Sequence, residues 1–153
     1  MELYKALIDR LASQHLIIRE LTSNVTEEQF DNKPSPGTWS IHDNIAHITM
    51  YHLVFYRRLQ MIIENEGLEF ERYNPDEDMD FKNWQKMSTD DLLNRLNVNR
   101  KLLIDFIFSL KENQLSKSAT HQKFGKMNVV EWIEFFLLHE AHHIYTIFKL
   151  IRS

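Results

Sequence analysis

The sequence predicts an all-α four-helix bundle, one domain over residues 1–153, with a long loop between helices two and three. Two observations predict it. Apolar residues recur at three- and four-residue steps through four long segments, with no strand-like alternation between them. Only 3 glycines and 3 prolines punctuate the 153 residues, so long uninterrupted helices are expected. A chain of this length buries roughly two-thirds of its unfolded surface and folds without staples. That suits the absence of cysteine, which excludes disulfides, thiolate metal sites and a cysteine nucleophile.

Helix one is expected from about Glu2 to Ser23, with Leu3, Leu7, Leu11, Ile18 and Leu21 on one stripe. Thr26 and Gln29 form a capping-box pattern for a short turn. Pro34-Ser35-Pro36-Gly37 is the clearest break. Ser40, with Asp43 three residues on, opens helix two, which carries Ile41, Ile45, Ile48, Phe55, Leu59 and Ile62 and closes at Gly67. Ser88, with Asp91, opens helix three, which runs to about Leu110. Residues 112–127 read as a polar loop. Asn128, with Glu131, opens helix four, which runs almost to Ser153.

Eighteen basic and 22 acidic residues give a net charge of −4, which argues against a nucleic-acid module built on phosphate neutralisation. No apolar run approaches the ~20 residues of a membrane span. The start, MELYKALIDRLASQ, is charged and amphipathic, unlike a secretory signal, so a cytoplasmic location is expected. The segment from Glu64 to Asp80 is strongly acidic, with Arg72 its one base, and reads as a solvated loop. Asp76, Asp78 and Asp80 have the spacing of a calcium loop. Phe81 stands where glycine is required and Met87 where the bidentate glutamate belongs, so an EF-hand is rejected.

Three of the eight histidines lie in the string His139-Glu140-Ala141-His142-His143. Positions i and i+4 are neighbours on a helix, so His139 and His143 can aim at one point. They interrupt an apolar arc formed by Trp132, Phe136, Ile147 and Leu150, and burying imidazoles there costs free energy unless they gain partners. A transition-metal ion satisfies both. The string is also H-E-x-x-H, the zinc-peptidase pattern in which the glutamate is the base. None of the ten residues after His143 is His, Asp or Glu, so no third ligand follows it. His15, His42, His47, His52 and His121 are the imidazole alternatives. Periodicity puts His52 nearer the centre of the helix-two stripe, while an open metal site favours the edge of the core; spacing leaves His47 and His52 both open.

Two motifs carry a family resemblance. Trp39-Ser40-Ile41-His42-Asp43-Asn44-Ile45-Ala46-His47 is similar to the W-S-x-x-E-x-l-x-H opening of helix two in the DinB/YfiT-like proteins. His139-Glu140-Ala141-His142-His143 resembles their helix-four H-x-x-H-H signature. Asp43 replaces the usual glutamate, and Tyr145-Thr146 replaces a common Gly-Gln. The resemblance implies a bundle that binds one divalent transition metal (Zn, Ni or Fe) through His47, His139 and His143, and association as a homodimer. It also implies a metal-dependent transferase that activates a low-molecular-weight thiol. A metal-activated water, a metal-binding or stress-related bundle without catalysis, and an HExxH-type metallohydrolase are the alternatives. Because the chain has no cysteine, the thiol is expected as a small-molecule cosubstrate. Glu140 is expected as a general base or a partner of the ligands, and Tyr51, one turn beyond His47, as a hydrogen-bond donor to substrate. His142 is expected at the surface, and Trp39 and Trp84 as packing residues.

Overall fold

A computed structural model describes residues 2–153. The chain folds as α1 (Lys5–Ser13), α2 (Leu16–Leu21), α3 (Glu27–Asp31), α4 (Ile41–Glu64), β1 (Glu69–Phe70), α5 (Met79–Trp84), α6 (Thr89–Ser109), α7 (Glu112–Leu115), β2 (Ser118–His121), β3 (Gly125–Asn128) and α8 (Val129–Ile151). The α1–α2 pair, α4, α6 and α8 are the four rods of the bundle, and α4 packs chiefly on α6 and α8.

The expected helix starts form as their side chains dictate. The Ser40 hydroxyl accepts from the Asp43 amide while the Asp43 carboxylate accepts from the Ser40 amide. Asn128 and Glu131 form the same reciprocal box for α8, and Ser88 caps α6. Each such cap satisfies amide donors that the first turn leaves free. Helix two stops at Glu64, three residues before Gly67. Asn65 turns its side-chain amide onto the Met61 carbonyl, and Gly67 takes the positive φ of the turn that follows.

Two expectations are corrected. Helix one is broken at Gln14 and His15. Neither residue breaks helices by itself; both turn inward, Gln14 donating to the Leu137 carbonyl and the Glu140 carboxylate of α8. Residues 112–127 are not an irregular loop. They contain α7 and a β2–β3 antiparallel hairpin, turning at Gly125 (φ +79°), with β1 added parallel to β2 in the order β1-β2-β3. The acidic side chains of the preceding segment are solvated as expected, except that half-buried Asp78 accepts from the Tyr73 hydroxyl.

The core has two apolar clusters. One joins Leu7, Leu11, Phe55, Leu59, Leu103, Ile107, Trp132 and Phe136; the other joins Ile18, Ile41, Ile45, Phe81, Leu92, Leu96 and Ile147. A fully enclosed side chain of this kind contributes about 1.5–3 kcal/mol by leaving water. Between the clusters runs a polar belt, one turn per rod: Gln14 and His15, His52, Asn99 and Arg100, and Glu140. The Glu140 carboxylate forms an ion pair with Arg100, whose guanidinium also lies over the Phe136 ring, 5.1 Å from its centroid. Burial pushes the Glu140 carboxyl up and the Arg100 guanidinium down, and each holds the other back toward its charged form.

Candidate metal centre

Helix α4 places His47 one turn before Tyr51, and α8 places His139 and His143 one turn apart on the face that meets it. The three imidazoles converge. Each offers a nitrogen, and these atoms all lie within 4.8 Å of one another. Nε2 of His47 is 3.1 Å from Nε2 of His139, and the His47 and His143 ring centroids are 4.6 Å apart. His47 is buried, and the other two are partly buried.

One tautomer is set by a neighbour. The Asn44 side-chain amide donates to the Ser40 carbonyl at 2.8 Å, which turns its Oδ1 toward His143. Nδ1–H of His143 donates to that oxygen at 2.8 Å, leaving Nε2 as a free lone pair. For His47 and His139 the local hydrogen bonding does not close. Either ring can donate across the 3.1 Å gap to the other's Nε2, but whichever donates, the buried Nδ1 of His47 has no partner, as a lone pair in one case and as an N–H in the other. Three imidazole nitrogens within 4.8 Å of one another can all turn lone pairs to one cation, so the donor set fits a divalent metal.

Electrostatics agree with that fit. Burial, then the neighbouring histidines, holds His47 at about 2; burial, His143, His142 and Arg58 hold His139 at about 3; burial and His142 hold His143 at about 4. All three are neutral near pH 7, as metal ligation requires. Buried His15 is likewise held at about 4, and His52 well below its ordinary value. These rings bind protons in the unfolded chain below about pH 6.5 but stay neutral in the fold. Stability is therefore highest above that pH and is lost as the pH falls through the window toward the folded values, by about 2 kcal/mol at pH 5 for each ring held at about 4 or lower. Urea midpoints at pH 7 and pH 5 check this; an unchanged or higher midpoint at pH 5 contradicts it.

The remaining histidines are engaged elsewhere. Nδ1–H of His52 donates to the Ile48 carbonyl at 2.8 Å, and its Nε2 faces Glu140 at 3.5 Å, so this ring belongs to the polar belt. His42 sits against Thr89 and the Gln85 carbonyl. Nδ1 of His121 accepts from the Lys123 amide. His142 is exposed. Glu140, expected at the reacting centre, is not there. Its carboxylate is spent on Arg100 and Gln14 and does not line the cavity, so the glutamate base of the H-E-x-x-H pattern is not built here. Nor is Glu140 a surface carboxylate, since it is 1% exposed.

The triad opens onto a cavity of about 780 Å3, within the usual range for small-molecule sites. Tyr51 lines it, with its ring centroid 4.2 Å from that of His139, and burial pushes its hydroxyl up so that it stays protonated. Trp39, expected as simple packing, stacks on His143 (centroids 5.8 Å) and touches His47. Sequence reasoning missed Asn44, Tyr73 and Arg58 at this site. Asn44, three residues before His47 and so one turn earlier on a largely apolar face, was the detectable signal.

Comparison with known proteins agrees with this architecture. The DinB superfamily pattern matches residues 11–147. The YuaE protein of Bacillus subtilis is 25% identical over 132 residues, covering 78% of this chain and 82% of its own. A protein of Oceanobacillus iheyensis named "putative metal-dependent hydrolase OB0413" is 23% identical over 132 residues, 82% of this chain and 72% of that one. The structure of YfiT from Bacillus subtilis superposes with a TM-score of 0.79 at 17% identity, covering 99% of this chain and 89% of that one. It is described as a "probable metal-dependent hydrolase with an unusual four-helix bundle topology".

Proposed function

We propose, since this chain belongs to the DinB superfamily, that it is a metal-dependent enzyme in which His47, His139 and His143 hold one divalent cation at the floor of the cavity, and that it hydrolyses a small substrate. The observation that carries the proposal is the convergence of three neutral imidazoles, from two separate helices, with ligand nitrogens all within 4.8 Å of one another. The names of the Oceanobacillus and Bacillus relatives support hydrolysis. Imidazole ligands suit zinc, nickel and iron alike.

When bound, the cation lowers the pKa of a water or thiol toward neutrality. The chain supplies everything else. Burial keeps the three rings neutral, so their lone pairs are available without a proton to displace. Asn44 locks the orientation of His143. The protonated Tyr51 hydroxyl is a donor for charge developing on a substrate oxygen. Trp39, Tyr73 and Phe135 line the cavity with aromatic rings beside the triad.

A second proposal, transfer of a small thiol to an electrophile, has one specific observation in its favour. The histidine cluster contains no carboxylate, and Glu140 is committed to Arg100. Water needs a base to take its proton, whereas a thiol, with an ordinary pKa near 8.5, needs less assistance. The test is a panel of small esters and amides, run beside a small thiol with an alkylating electrophile. In one of the two assays, turnover is expected to disappear on chelation and return with one equivalent of metal. Turnover that survives metal removal contradicts both proposals.

A further inference from the structure

We propose that the substrate of this cavity carries a distal anionic group, a carboxylate or phosphate, which Arg58 seats at the end away from the histidines, with Arg72 and Lys123 at the rim. The proposal rests on the cavity being the reaction site, and it adds a substrate class to that site.

Arg58 shares the cavity with the triad. Its Nη2 donates to the Glu71 carbonyl at 2.9 Å, and its guanidinium stacks over the Phe70 ring, 5.2 Å from the centroid. The group is thus held in place by a neutral acceptor and an aromatic face. Its Nη1 is buried and has no hydrogen-bond partner. Among the described residues no carboxylate lies within ion-pair distance of Arg58, Arg72 or Lys123. Buried donors and half-buried charges are normally paired, so a guanidinium held on the cavity wall beside the Tyr51 hydroxyl, with no carboxylate near it and an N–H left over, suits a ligand anion.

The charge distribution points the same way. The chain carries a net charge of −4, and the segment beside the cavity is densely acidic, yet of its acids only Asp76 lines the cavity, while half-buried Asp78 is taken up by the Tyr73 hydroxyl. On the cavity wall the balance inverts, with Arg58, Arg72 and Lys123 against Asp76. A concave site lined by one sign of charge concentrates ligands of the other. Between the two ends lie Tyr51 and the apolar side chains of Phe135 and Leu138. A matching substrate has a reactive group at the histidines, a short apolar stretch and an anion at Arg58. Arg58 follows His47 by eleven residues on α4, about 16 Å along the axis. Its side chain leans back toward the helix N-terminus, which brings the two functions to about 10 Å.

Two eight-carbon probes test this, octanohydroxamate and its ω-carboxylate analogue, titrated calorimetrically into the protein as purified. The hydroxamate addresses the histidine end in both. The acid-ended probe is expected to bind at least tenfold more tightly, with an advantage that shrinks as salt rises. Arg58→Gln is expected to erase that advantage while leaving the affinity for the methyl-ended probe and the metal content unchanged. Lys123→Gln, at an exposed position that the fold does not need, is expected to reduce it two- to threefold. Equal affinities for the two probes, or a preference indifferent to salt and to both substitutions, overturn the proposal. Metal content measured on the same samples reports on the metal separately. A metal-free protein that still prefers the acid-ended probe keeps the anion seat and loses the metal.

Discussion

Replacing His47 with alanine is expected to strip the protein of its metal, while replacing His52 with alanine leaves it loaded. The two residues lie five apart on α4 and are both buried, so burial does not distinguish them. Direction does. The His47 ring faces His139 and His143, whereas His52 has one nitrogen on the Ile48 carbonyl and the other facing Glu140. A site with only His139 and His143 left has lost one of three ligands and the ordering that goes with it. Elemental analysis of untagged protein is expected to give about one metal per chain for wild type and His52→Ala, and close to none for His47→Ala and His143→Ala. Asn44→Ala is expected to keep the ligands but lose the orientation of His143, weakening metal affinity by about 10- to 100-fold. Loss in His52→Ala with retention in His47→Ala contradicts the assignment.

The second large effect lies in the polar belt. Arg100→Ala is expected to cost about 3–5 kcal/mol of folding stability, because it leaves the Glu140 carboxylate buried without its counter-charge. Glu140→Ala costs a similar amount by orphaning Arg100, whose Nε and Nη1 already lack partners. Replacing the two together with apolar residues of similar size recovers much of the loss, since no uncompensated charge then remains. Denaturant unfolding of the four proteins measures the coupling. A loss below about 1 kcal/mol in Arg100→Ala contradicts the account of the belt.

The helices were legible because their signals are local. Ser40 with Asp43, Ser88 with Asp91, and Asn128 with Glu131 each bring cap and partner within three residues, and the structure closes each of these caps. The break at Gln14 and His15 was not legible, since its cause is a contact with Leu137 and Glu140 on a distant helix. The strands were hidden for a related reason. They are two to four residues long, too short for alternation to register, and β1 pairs with a strand some fifty residues away. At the site, the i, i+4 spacing identified His139 and His143, but spacing alone left His47 and His52 undecided. The motif resemblance favoured His47, and the geometry brings that residue to the pair. Glu140 was misjudged because its partner Arg100, on α6, is invisible to a motif confined to α8. Arg58 escaped notice because an arginine on a helix reads as solvated until the fold shows its neighbours.

X-ray absorption at the metal edge, on protein purified without added metal, tests most directly whether His47, His139 and His143 converge on one cation. The expected spectrum shows three imidazole nitrogens at about 2.0–2.1 Å, the distance typical of zinc, with oxygen completing the shell, and His47→Ala removes the signal. A spectrum without imidazole scattering, or one unchanged in His47→Ala, contradicts the account.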